Sequence, residues 1–165
     1  SSRIILKNSI MNNDEINQNL IEKFLVNNVN KDKIQIIKYQ KESSDHLSLY
    51  DQIDLALDTF PYNGVTTTFE SVLMGVPVLT IKGFNFNSRC GESINQNLKL
   101  ENFIAEDYSD YYLKALNFYK NKNYLSNLRK SLRDRVISSP LFNNKDFALI
   151  FSEKMKEIWE NSLKD

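Results

Sequence analysis

Four short apolar runs alternate with segments of helical period along the first half of the chain, and that order restricts the folds open to it. Arg3 to Lys7 is a strand candidate. Asn13-Asp14 then signals a helix start, with Ile16, Leu20 and Phe24 on one face. Lys33 to Tyr39 is a second strand, a short helix follows from Ser44 to Asp51, and Ile53 to Thr59 is a third strand whose apolar run predicts burial on both faces. The next helix ends at Met74-Gly75, where Gly75 ahead of Val76-Pro77 reads as a helix C-cap, and Val76 to Lys82 is a fourth strand. Strands and helices in strict alternation predict right-handed crossovers and an α/β fold of three layers, a mostly parallel sheet with helices on both faces. Ligands of such sheets bind beyond the carboxyl ends of the strands.

At one of those ends the chain reads DTFPYNGVTTTFESVLMGVPVLT, from Asp58 to Thr80. Here a strand empties through Gly64 into three hydroxyl residues that open a helix. The first N–H groups of a helix have no partner within it, and the aligned peptide dipoles leave a partial positive charge there, so phosphate oxygens fit without any lysine. Gly64 allows a turn and close approach to a ligand, while Thr66, Thr67 and Thr68 offer N-cap oxygens and donors to a diphosphate. The same pattern also describes an ordinary capped helix after a strand.

Beyond Lys82 the chain becomes mainly helical. Gly83 to Asn87 is a loop, Ser88 is read as the cap of a helix through Leu98, and Asn102 to Ala105 as a short last strand. Two helices follow, Tyr108 to Lys120 with Tyr112, Leu116 and Tyr119 aligned, and Tyr124 to Val136 with Leu125, Leu128 and Leu132 aligned. Ser138-Ser139-Pro140 breaks the chain before a final helix, Lys145 to about Leu163, whose Phe147, Phe151, Met155 and Ile158 or Trp159 form a stripe. These stripes are expected to be core rather than cofactor contacts. The 165 residues read as a single domain whose part from 108 to 165 is mainly helical.

Basic and acidic residues balance at 21 each, so nothing advertises nucleic acid or an anionic membrane as a partner. The apolar runs are far too short to span a bilayer, and no charged-then-apolar leader opens the chain at Ser1. The single Cys90 and the absence of an Asn-x-Ser/Thr acceptor agree with a reducing compartment, and a soluble, cytoplasmic protein is expected. One His and one Cys argue against a zinc site.

Nearly the whole chain resembles the carboxyl-terminal catalytic region of the O-GlcNAc transferase and SPINDLY-like glycosyltransferases, glycosyltransferase family 41, with the look of its bacterial branch. The resemblance is carried by His46 with Leu47 to Tyr50, Asp54 to Gly64, Thr66-Thr67, Met74 to Thr80, Ser88-Arg89 and the tail motif ISSPLF from Ile137 to Phe142. It implies the second, donor-binding Rossmann-like domain of a GT-B enzyme, with extra carboxyl-terminal helices. In the family the Gly-x-Thr-Thr turn holds the donor diphosphate, which implies Gly64, Val65, Thr66 and Thr67 here, with Asn63 beside them. Glu70 occupies the position of a carboxylate that contacts ribose, and His46 that of a histidine lying against uracil, close to the strand end Tyr39 to Lys41. Thr68 and Arg89 are further candidates.

The sequence also departs from the family. Animal members carry a second histidine where this chain has Val65, and a lysine where it has Ser43, so Lys41 or Ser43 becomes the candidate for that ribose contact. The family's catalytic lysine lies upstream of Ser1, so no catalytic residue is expected within these residues. The implied reaction is metal-independent, inverting transfer of a sugar, GlcNAc foremost, from a UDP-sugar to Ser/Thr hydroxyls of an acceptor protein, with no cofactor or metal. The implied partners within the intact chain are the other GT-B domain and helical repeats, against which aromatics such as Tyr108, Tyr111 and Phe118 could pack. A related transferase using another hexose or GDP-fucose, and a noncatalytic binding domain, are the alternatives. A phosphoacceptor receiver domain with Asp58 as its aspartate fits poorly, because Lys7-Asn8-Ser9 follows the first strand instead of an acidic pair.

Overall fold

The computed structural model describes residues 2–38 and 43–163, excepting the side chains of Ser43 and Ser44. The chain separates into two compact units, Ser1–Ile53 and Asp54–Asp165. In the first, β1 (Ile4–Lys7) pairs in parallel with β2 (Ile34–Ile37), in the register Ile4 to Ile34 through Lys7 to Ile37. The crossover contains α1 (Asp14–Val26), started where the sequence signals it: the Asn13 side chain accepts from the amides of Glu15 and Ile16. After β2 comes α2 (Ser43–Ser48), continued by a 3-10 turn over Leu49–Gln52.

The second unit holds β3 (Ala56–Leu57), α3 (Thr66–Leu73), β4 (Val78–Ile81), α4 (Cys90–Asn97), β5 (Ile104–Ala105), α5 (Tyr108–Lys120), α6 (Lys122–Ile137) and α7 (Asn144–Ser162). Its three strands run parallel in the order β3-β4-β5. The α/β class with parallel strands is thus observed, with the described strands paired as two small sheets, one in each unit, rather than as one wound sheet. The strand between the other two, β4, is buried along its whole length, whereas Leu57 of the edge strand β3 is exposed. Burial on both faces therefore belongs to the fourth strand and not to the third, because only a central strand is covered by crossover helices on each side.

Helices α3, α4 and α5 pack against β4, and α6 lies on α3 and α5. Val72, Leu79, Ile94, Leu98, Phe103, Phe118 and Leu132 meet in the core, where the Phe103 and Phe118 rings stack at 4.3 Å. The buried Asn95 amide donates to the carbonyls of Val78 and Phe103, at 2.9 and 3.2 Å, and so fastens α4 to β4 and to the turn that enters β5. Among the described residues no helix is long and apolar enough to cross a membrane.

Packing and capping depart from the sequence reading in helices α4, α5 and α7. Helix α5 turns Tyr111, Ala115 and Phe118 toward the core, leaving Tyr112 and Tyr119 exposed; both sets obey helical spacing, and only the neighbouring sheet chooses between them. Phe118 is accordingly core and not an outward aromatic face. Helix α7 has no buried residue, and its Phe147, Phe151, Met155 and Ile158 are all exposed, since Leu128, Leu132 and Val136 of α6 already fill the core beside α3. Ser88 does not cap α4, whose N-cap is Arg89 without a side-chain bond; Ser88 Oγ instead accepts from the amides of Phe84 and Asn85, closing the loop before the helix.

Gly75, predicted as a C-cap, has φ of +81°. A Cβ there would also stand 3.1 Å from the Arg129 carbonyl oxygen. Gly75→Ala should destabilise the chain by about 1–2 kcal/mol, the cost of the left-handed conformation for an L side chain, read by urea denaturation. Asp110 accepts from the Glu106 amide at 3.0 Å and pairs with Lys114 at 2.9 Å, and the Lys114 bond foremost holds its carboxyl below the ordinary range. A depressed carboxyl stabilises the fold above its unfolded pKa and loses that contribution as pH falls through the folded value. Asp110→Asn should therefore cost about 0.5 kcal/mol at neutral pH, the difference from the parent closing under acid.

Candidate diphosphate site at the end of the third strand

The loop between β3 and α3 is organised by one carboxylate. Asp58 Oδ1 accepts from the amides of Gly64 at 2.8 Å and Thr59 at 3.0 Å, and Oδ2 accepts from Thr80 Oγ1 of β4 at 2.8 Å. The Asp58 carbonyl takes a bond from the Tyr111 hydroxyl of α5 at 3.1 Å. Burial pushes the Asp58 carboxyl above its ordinary range, against the lowering effect of its three donors. Burial also raises the Tyr111 hydroxyl, aided by the Asp58 charge, so Tyr111 stays a neutral donor.

Asn63 completes the frame. Its buried side chain donates to the Thr59 carbonyl at 3.0 Å and accepts from the Gly91 amide at 3.3 Å, while its own amide donates to the Asn87 carbonyl at 3.2 Å. Expected beside the diphosphate, Asn63 is 1% exposed and spends these bonds on the loop, so its contribution is to the loop's shape.

The structure places Gly64 immediately before the helix, but its backbone is not left-handed; the reason for glycine is space. A Cβ on Gly64 would lie 2.4 Å from Thr67 Oγ1 and 3.2 Å from Thr68 Oγ1. The three threonines divide their work. Val65 is the N-cap and has no side-chain cap bond, so the expected hydroxyl cap is absent. Thr68 is buried and turns its hydroxyl back to the Gly64 carbonyl at 2.7 Å, which removes it from ligand contact. Val65, Thr66 and Thr67 are exposed. The Gly64 amide is occupied by Asp58, whereas no described residue accepts from the amides of Val65 and Thr66. The amides without a described partner therefore begin at Val65, one residue later than the sequence reading that included Gly64.

Among the other candidates, Glu70 is half-buried in the second turn of α3. Arg89 forms an ion pair with the buried Glu92 carboxylate, Nε to Oε2 at 2.7 Å, so its charge is already matched within α4. Lys41 and the strand end from Tyr39 lie outside the described residues, as does the Ser43 side chain.

In the first unit His46 is half-buried on α2, with its ring edge-on to Tyr50 at 5.8 Å. Lys7, the last residue of β1, places Nζ 2.6 Å from His46 Nδ1. The contact joins the end of β1 to α2 through two side chains 39 residues apart. Sequence reasoning assigned no role to Lys7 or, within the anion site, to Asp58. Their common signal is a charged residue at the carboxyl end of a parallel strand.

Residues 10–151 match the model of the family described as glycosyl transferase family 41. The chain is 31% identical over 158 residues to the tomato (Solanum lycopersicum) protein named "Probable UDP-N-acetylglucosamine--peptide N-acetylglucosaminyltransferase SPINDLY", covering 96% of this chain and 17% of that one. Its likeness to the protein of the same name from Arabidopsis thaliana is 29% over 164 residues, covering 99% and 18%. It thus spans under a fifth of the length of these relatives. Among solved structures it is similar to the K341M mutant of the Thermobaculum terrenum O-GlcNAc transferase, with a TM-score of 0.91 at 25% identity over 98% of this chain and 31% of that one. The loop, the helix start and the parallel strands that frame them thus sit in a chain that belongs to glycosyl transferase family 41.

Proposed function

We propose that this chain is the donor-binding part of a glycosyltransferase that takes a UDP-sugar, GlcNAc foremost, and passes the sugar to Ser/Thr hydroxyls of an acceptor protein. The observation that carries the reading is the start of α3, where Val65 and Thr66 present amides that no described residue uses, behind a turn with no room for a side chain at Gly64. The names of the two SPINDLY proteins and of the O-GlcNAc transferase supply the substrate class. The diphosphate falls to Val65, Thr66 and Thr67, the ribose to Glu70, and the base to His46, whose flat ring can stack and hydrogen-bond at its edge. Lys41 and Ser43 stay candidates for a further ribose contact.

In the reaction the acceptor oxygen forms its bond to the anomeric carbon from the face opposite the nucleotide, the bond from that carbon to the diphosphate oxygen breaks, and the acceptor proton is lost to a base. Configuration inverts. The departing UDP gathers negative charge, and amides oriented by a folded helix stabilise it without reorganising. Since those donors do the work of a cation, we read the transfer as metal-independent, with no further cofactor. The catalytic lysine, the acceptor-side domain and helical repeats belong to the longer protein in this reading, and cytoplasmic residence accords with its protein acceptors.

Calorimetric titration with UDP, with GDP as the control, tests the site. UDP should bind in preference to GDP, and Gly64→Ala, which forces Thr67 to move, should weaken UDP by about tenfold or more; no heat with any nucleotide at millimolar levels would favour a noncatalytic domain. In the longer enzyme, Thr67→Ala should cut turnover by about 10²-fold, the scale seen when one oxyanion donor is removed. Unchanged single-turnover rates would remove Thr67 from the machinery.

A further inference from the structure

The Asp58 carboxylate is an unexpected group to find beneath an anion site. Its charge resists its own burial and repels a phosphate, so a fold that merely needed the loop closed would do better with a neutral side chain. What a carboxylate offers is four lone-pair positions and no proton of its own, so it can accept from Gly64, Thr59 and Thr80 together. We propose that Asp58 is the positioning residue of the nucleotide site, withdrawing the Gly64 amide from the ligand to lock the turn, so that the amides from Val65 onward face the diphosphate before it arrives. This rests on the donor-binding reading above.

Three elements converge on that one side chain. Oδ1 holds the turn, and Oδ2 holds β4 through Thr80, 22 residues away in sequence. The first turn of α4 closes on the same atoms, for a Cβ on Gly91 would lie 2.7 Å from Asp58 Oδ2 and 2.4 Å from Thr80 Oγ1. Any side chain at residue 91 would push the carboxylate away from the Gly64 amide. The arrangement removes from the turn the freedom that diphosphate binding would otherwise have to freeze, which is how preorganisation raises affinity.

The test compares UDP with uridine, which lacks the diphosphate. Asp58→Ala should weaken UDP by about tenfold while leaving uridine unchanged, and Asp58→Asn, whose amide oxygen still accepts from Gly64, should restore most of the loss. Equal weakening of UDP and uridine would mean a general structural role, and tighter UDP binding in both variants would mean that Asp58 acts only as a repelling charge; either overturns the proposal. If Asp58→Ala does not fold, amide exchange in the unaltered protein decides: Gly64 should exchange more slowly than Val65 and Thr66, and exchange at the same rate refutes the lock. Absence of UDP binding to the unaltered protein would bring down the donor reading and this inference together. UDP binding that survives Asp58→Ala undiminished would bring down the inference alone.

Discussion

The bond from the Gly64 amide to the Asp58 carboxylate is the constraint on which the rest of the candidate site depends. It brings the end of β3 against the start of α3, and with Thr80 on the second carboxylate oxygen it ties both to the central strand. Two glycines make room for it, one under Thr67 and one against the carboxylate itself. Removing a bulky side chain at residues 64 and 91 is therefore not about backbone freedom but about letting three elements reach one small acceptor.

That constraint acts against a strand, β4, that is buried and hydrogen-bonded from α4. Val78, Leu79, Thr80 and Ile81 are all buried, Asn95 hydrogen-bonds the strand from α4, and the stacked Phe103 and Phe118 close the core below. The polar loop of glycine, asparagine and threonine that leaves β3 is held against this strand by the Thr80 hydroxyl, which donates to the Asp58 carboxylate. The turn held in this way leaves Val65 and Thr66 exposed at the start of α3, with amides that no described residue accepts from.

Much of this was legible in residue order. The limits of α5 agree with the sequence reading because Asp107 caps it, accepting from the Asp110 amide, and Gly75 ends the α3 segment in the left-handed conformation that its position before Val76-Pro77 suggested. The threonine-led helix start was equally plain. Its inner division was not: that Thr68 bonds back to Gly64, that Val65 is the cap, and that Asn63 serves the loop depend on which side chains are covered. The faces of α5 and α7 were misread for a related cause, since a stripe at helical spacing states that a face exists without stating what lies opposite.

Residue order carried the succession of strands and helices and the Gly-Val-Thr-Thr turn, which follow from periodicity, capping and turn chemistry within a few residues, while the family was carried by the likeness of whole segments such as Asp54 to Gly64 and Ile137 to Phe142. Tertiary packing alone brought Thr80 to the Asp58 carboxylate and Lys7 to His46. Those partners stand 22 and 39 residues apart, and a hydrogen bond requires approach to about 3 Å that no local pattern encodes.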